Sequence, residues 1–145
     1  MPYTNILAAV DLGPTTSFIL KKAVDLANDK KACISVIHVI EPLTLTYGGD
    51  IPMDFSAIQD EIREQAKEQL DEISEKLEIP SQYRYLIIGR PESEILSKAE
   101  ELGCDLIVLG SHAKWGLALL MGSTTDGVMH SAQCDVLAVK VDIRV

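Results

Sequence analysis

A chain of 145 residues, 47% hydrophobic and 24% charged, has the size and composition of one soluble domain, residues 1–145, with a single sizeable core. Its formal charge of −9 argues against a nucleic-acid or anionic-membrane surface, since both need clustered Lys and Arg. The opening "MPYTNILAAVDLG" has no signal-peptide pattern, no run approaches a membrane span, and Cys33, Cys104 and Cys134 lack metal or redox spacing, so a cytoplasmic protein with reduced thiols is expected.

Along the chain the hydrophobic period alternates between two and 3.6. "TNILAAVDL" reads as an apolar strand that ends in a turn at Gly13-Pro14. "SFILKKAVDLA" then places Ile19, Leu20, Ala23, Val24 and Ala27 at helical spacing. "CISVIHVI" is a second strand rich in β-branched residues, and "EPLTLTYGGDIPM" holds the breakers of a loop. From Asp54 to about Leu77 a long helix carries Phe55, Ile58, Ile62, Ala66, Leu70, Ile73 and Leu77 on one stripe and acidic residues opposite. "YRYLII" is a third strand closed by Gly89. "PESEILSKAEELG" has Pro91 inside the start and Gly103 at the end, the asymmetry expected of a helix. "CDLIVLG" is a fourth strand that stops at Gly110-Ser111, "TTDGVMHSA" a short helix and "CDVLAVKV" a fifth strand.

Strands alternating with helices imply βαβ units, an α/β fold with an open parallel sheet and helices on both faces. "NILAAV", "LIVLG" and "DVLAVKV" are nearly continuous apolar runs, as strands buried on both sides require. Such a sheet binds ligands where its strand order reverses, outside the carboxyl ends of the strands. With the first strand central, that crevice falls between the first and fourth strands, at "VDLGPTT" and "GSHAKWG".

The segments "ILAAVDLGPTTSFILKKAVDLA", "ISVIHVIEP" and "DLIVLGSHAKWG…GSTTDGVMHSAQCDVLAVKV" together resemble the universal stress protein family, from Tyr3 to Val141. The resemblance implies a doubly wound, Rossmann-like sheet of five parallel strands in the order 3-2-1-4-5. It also implies a homodimer formed through the last strand, with Val136, Ala138, Val139 and Val141 near the axis. One branch of the family holds ATP or AMP in the crevice just described. Its motif is Gly, two residues, Gly, nine residues, then Gly-Ser or Gly-Thr. Here Gly110 and Gly122-Ser123 match, Ala113 replaces the middle glycine, and eight residues rather than nine separate it from Gly122.

Carried over residue by residue, the nucleotide site comprises Ala9, Val10, Asp11, Val39, Leu109, Gly110, Ser111, His112, Ala113, Lys114, Gly122, Ser123 and Thr124. In this reading Asp11 stands near the ribose and a magnesium carried by ATP, and the Val39 backbone meets the adenine. Gly122, Ser123 and Thr124 at a helix start offer N–H groups, hydroxyls and the positive dipole end to phosphates. Simpler roles stand beside these. Gly110 and Gly122 also fit a strand exit and a helix entry capped by Ser123 or Thr124. Asp11 fits a turn or N-cap, Val39 a core position, and His38 a packed, satisfied histidine. His112 fits a phosphate donor or simple exposure, and His130 a helix surface.

No side chain is assigned to catalysis. The chain lacks a G-x-S-x-G elbow and a Walker lysine, no paired carboxylates flank the loops, and adjacent Ser111 and His112 point differently. The expected role is a stress-response regulator that senses nucleotide and signals to a protein partner. A nucleotide-free dimeric interaction protein and a slow ATP hydrolase are the alternatives. The stretch "HAKWGLALLM" is expected to arch over the phosphates, with His112 and Lys114 toward the ligand; the competing reading makes Leu117 to Met121 the first turn of a core helix.

Overall fold

The computed structural model describes residues 3–42, 55–112 and 123–141. The first strand, β1 (Asn5–Ala9), leads into α1 (Thr16–Lys30) and then β2 (Cys33–Ile40). A long helix, α2 (Phe55–Lys76), and a 3-10 turn at Ser81–Tyr83 precede β3 (Arg84–Ile88). The chain continues through α3 (Pro91–Leu102), β4 (Leu106–His112), α4 (Ser123–Ser131) and β5 (Asp135–Val141). All strand pairings are parallel, in the order β3-β2-β1-β4-β5. The α/β architecture and strand order therefore match the expectation.

The alternation of β1 divides the core in two. Ile6, Ala8 and Val10 face α1 and α2, where they meet Ile19, Leu20, Ala23 and Leu70. Leu7 and Ala9 face α3 and α4, where they meet Ile95, Ala99 and Val128. Successive side chains on a strand point to opposite faces, so an uninterrupted apolar run is what a strand covered on both sides needs.

Helix boundaries follow local chemistry. All five apolar positions expected on α1 are buried. This helix ends without glycine: Lys31 takes the left-handed conformation at φ 55° while Ala32 N–H donates to Ala27 O. The left-handed step costs a non-glycine residue about 1 kcal/mol. In α3, Pro91 occupies the first turn and Gly103 closes the helix at φ 66°, a position where glycine carries no such cost. A β-carbon at Gly127, in the middle of α4, would meet the Glu92 carboxyl of α3, the mobile end of a long side chain.

Polar clamps tie the layers together. Arg84 reaches from β3 to Asp71 and Glu75 of α2 at 3.2 and 3.3 Å, and also donates to the Ile79 carbonyl. Bonds from Lys67, opposed by partial burial and joined by the Arg84 bond, leave the Asp71 carboxyl below its usual range. At the amino ends of the strands, Asp105 accepts from Thr4 N–H, the Thr4 hydroxyl and Asn5 N–H at 2.9, 2.9 and 3.0 Å.

Boundaries differ from the sequence reading at several elements, and the first strand ends at Ala9 rather than running on to Leu12. Tyr83 belongs to the 3-10 turn rather than to the third strand, although its aromatic ring favours strands. The fourth strand does not stop at Gly110. It runs on to His112, with Gly110, Ser111 and His112 in register with Val139, Lys140 and Val141. Neighbouring backbone on the β5 side sustains a ladder that Gly110 and Ser111 alone would not favour. The "EPLTLTYGGDIPM" loop from Leu43 onward and the "HAKWGLALLM" stretch from Ala113 onward lie outside the described residues.

Candidate functional site

The sheet opens above the end of β1. Pairing of β1 with β2 reaches Ala9↔Ile37, and pairing with β4 reaches Ala9↔Leu109. One further bond, Val10 N–H to Ile37 O at 3.0 Å, closes the ladder on the β2 side. Both neighbours continue past this point, β2 through residues 38–40 and β4 through residues 110–112. The result is a notch with Val10 and Asp11 as its floor, β2 as one wall and β4 as the other. This is the reversal point of the strand order, where an open parallel sheet takes ligands.

At the floor, Ala9 and Val10 are buried and Asp11 is exposed. The Asp11 Oδ1 accepts from Gly13 N–H at 2.8 Å and from the Thr16 hydroxyl at 3.3 Å. That is an aspartate turn feeding the start of α1, so the turn role is present. Leu12 between them sits at φ 61°, in the left-handed region that a Leu rarely adopts, and the close turn is what holds it there.

On the β2 wall, Val39 packs into the second core with Leu109 and Val128. Its neighbour His38 is half-buried and lies within β2 rather than at its end, which is Ile40. The His38 Nδ1 is 2.8 Å from the Val10 carbonyl oxygen. A carbonyl only accepts, so Nδ1 carries the proton; His38 is the satisfied histidine that the sequence suggested.

On the β4 wall, Leu109 is buried in the second core, and Gly110 and Ser111 are half-buried. The Thr125 hydroxyl of α4 donates to the Gly110 carbonyl at 2.8 Å. This bond fastens the first turn of α4 to the wall, so the backbone of Ser123 and Thr124 stands beside β4 at the mouth of the notch. A helix start leaves N–H groups without partners in the helix and carries the positive dipole end, which together favour an anion. Thr125 was outside the residues singled out from sequence, because its role depends on a contact fifteen positions away. Ala113, Lys114 and Gly122 lie outside the described residues, as do the side chains of His112 and Ser123.

The remaining titratable groups gather elsewhere. His130 pairs with Asp126 at 3.3 Å on the exposed face of α4. Among the described residues no three His, Cys, Asp or Glu side chains come together to hold a metal ion. Burial pushes the Cys104 thiol up to about 11, with Cys134 adding to the shift, so Cys104 stays protonated at neutral pH. No helix among the described residues is long and apolar enough to cross a membrane.

Comparison with known proteins gives the arrangement a lineage. The model of the Universal stress protein family matches residues 2–140. The chain is 36% identical over 141 residues to the universal stress protein A homolog 1 of Coxiella burnetii, covering 96% of this chain and 97% of that one. Among solved structures, the universal stress protein UspA of Lactobacillus plantarum superposes with a TM-score of 0.77 at 26% identity, over 99% of both chains. The universal stress protein of Archaeoglobus fulgidus, solved in complex with dAMP, superposes with a TM-score of 0.64 at 23% identity, over 97% of this chain and 100% of that one. Match of the whole chain, together with the strand order and the notch above β1, leads to one conclusion: the chain belongs to the universal stress protein family.

Proposed function

We propose that the protein binds an adenine nucleotide, ATP or AMP, in the notch between β1 and β4, and acts as a cytoplasmic stress-response regulator through a homodimer. The observation that carries the reading is the Thr125–Gly110 bond, which sets the α4 start against the β4 wall where the strands diverge. Phosphates would lie against the backbone of Ser123 and Thr124, with Gly122 completing the turn. The base would lie across Ala9 and Val10 toward Val39, and Leu109 to Ser111 would line the opposite side. His112, Ala113 and Lys114 would close over the phosphates. The dAMP held by the Archaeoglobus relative supports the choice of an adenine nucleotide.

A magnesium would arrive with ATP. Asp11 is the one carboxylate on the floor of the notch among the described residues, and its Oδ1 already serves the turn. One carboxylate with phosphate oxygens and water suits magnesium, which keeps much of its hydration. The ion would shield the phosphates, and Asp11 would hold it at the mouth. Binding rather than turnover is the function proposed, with Asp11 the carboxylate at hand among the described residues.

The dimer would form at β5, which ends the sheet and offers its outer backbone edge. An uncovered edge invites pairing, and an antiparallel pair of identical strands closes it with two-fold symmetry. Val136 and Ala138 are half-buried on β5, whereas Val139 is only 5% exposed and belongs to the chain's own core. Leu137, 42% exposed, is the large apolar side chain that a partner strand would cover. The side chain of Val141 lies outside the described residues. Denaturing purified protein and measuring adenine absorbance in the protein-free filtrate tests the nucleotide reading; a filtrate that stays blank after preincubation with ATP and rapid desalting counts against it.

A further inference from the structure

Among the described residues, three that are not glycine have a positive φ: Leu12 at 61°, Lys31 at 55° and Glu78 at 60°. Two of them close helices. Lys31 follows α1 while Ala32 N–H returns to Ala27 O, and Glu78 follows α2 while Ile79 N–H returns to Ser74 O. Leu12 closes no helix. It stands between Asp11 and Gly13 on the floor of the notch, inside the turn in which Asp11 Oδ1 accepts from Gly13 N–H at 2.8 Å. In such a turn the aspartate side chain takes the place of a backbone unit, and a left-handed residue at the next position is ordinarily Gly or Asn. A β-carbon makes that conformation costly, and strain of this kind persists only where the surroundings enforce it. The Leu12 side chain supplies part of that enforcement, because it packs against the first core, the cluster of Val10, Ile19 and Leu20.

We infer that Leu12 is a positioning residue for the cation: its core-packed side chain holds the strained turn, and the turn holds the Asp11 carboxylate by one oxygen. This inference rests on the nucleotide reading above and on the magnesium placed with it. Oδ1 is committed to Gly13 N–H and to the hydroxyl of Thr16, itself only 5% exposed. Oδ2 makes no hydrogen bond among the described residues. A carboxylate tethered at one oxygen and open at the other is a single-oxygen ligand of fixed direction. That suits an ion whose remaining ligands are water and phosphate oxygens. Glycine would take the left-handed conformation without cost, but it would give the turn nothing to hold it to the core. The strained leucine is therefore an anchor, and the anchor fixes the carboxylate on which the ion depends.

The test separates the backbone conformation from the anchor. Leu12→Gly keeps the first and removes the second, whereas Leu12→Met keeps an apolar side chain for the core. In the nucleotide-free proteins, the Gly13 amide should exchange about tenfold faster in Leu12→Gly than in wild type, with Leu12→Met close to wild type. Titration of ATP with and without magnesium gives the second reading. The gain in ATP affinity on adding magnesium should fall several-fold in Leu12→Gly and be retained in Leu12→Met. AMP affinity without magnesium should be the same in all three proteins, since a merely structural loss would weaken ATP and AMP alike. If wild type binds no adenine nucleotide, the parent reading fails. If wild type binds ATP with no effect of magnesium, the place given to the ion fails, and this inference with it. If a folded Leu12→Gly protein keeps both the full magnesium effect and the Gly13 protection, the nucleotide reading stands and the role given to Leu12 is wrong.

Discussion

The Thr125 hydroxyl donates to the Gly110 carbonyl across 2.8 Å, joining the first turn of α4 to the strand that forms one wall of the notch. This bond ties the β4 strand at Gly110 to the first turn of the helix that follows. Thr125→Val removes the donor at nearly constant volume and should cost about 1 kcal/mol in denaturant unfolding. With the helix start no longer held to the wall, nucleotide affinity should fall several-fold. Thr125→Ser should restore both. A valine variant with unchanged stability and unchanged affinity would show that the contact positions nothing.

Asp11 separates into two roles by substitution. Its Oδ1 accepts from Gly13 N–H and the Thr16 hydroxyl, both neutral donors that an asparagine oxygen can also satisfy. Asp11→Asn should therefore keep stability within about 0.5 kcal/mol of wild type and lose the magnesium dependence of ATP binding. Asp11→Ala should lose both, with a stability cost of about 1 kcal/mol. If Asp11→Asn binds ATP with the full magnesium dependence, Asp11 is a turn residue alone.

Leu137 is the exposed large apolar side chain on β5, one edge of the sheet, among the described residues. A two-fold pair of the kind proposed would cover it. Light scattering should give a dimer for wild type at micromolar concentration, and Leu137→Glu should shift it to monomer while circular dichroism stays unchanged. A wild-type monomer at that concentration would remove the dimer from the proposal.

Asp105 gives the fold a defined acid sensitivity. Partial burial alone would raise its carboxyl, but the bonds from Thr4 and Asn5 outweigh that and leave it below the ordinary value of 3.8. A lowered folded-state value means that the charged form stabilises the fold above pH 3.8, and that this contribution disappears as pH falls through the lower value. Asp105→Asn should be less stable than wild type by about 1 kcal/mol at neutral pH, a figure reduced for solvent screening. The difference should vanish below the carboxylate range. A gap that persists undiminished in acid would assign the effect to geometry rather than charge.

Much of the fold was legible because it is written in local chemistry. The second strand was bounded at Cys33 and Ile40 by the run of β-branched residues, and α3 by Pro91 and Gly103. Where the outcome depends on distant partners, the reading stopped short. The run through Gly110 to His112 depends on register with β5, and the turn at Lys31 uses a residue with no left-handed preference. Sequence placed the crevice between the first and fourth strands only once the first was taken as central; the observed order supplies that condition. Thr125 and the His38 bond to Val10 were not readable, since each joins residues fifteen or more positions apart.

Isothermal titration of the purified protein with ATP, ADP and AMP, each with and without magnesium, tests nucleotide binding most directly. The account predicts saturable binding of a single adenine nucleotide per chain, weakened by Thr125→Val and strengthened by magnesium for ATP through Asp11. Absence of saturable heat with all three nucleotides, for protein shown to be folded and free of carried-over ligand, would contradict it.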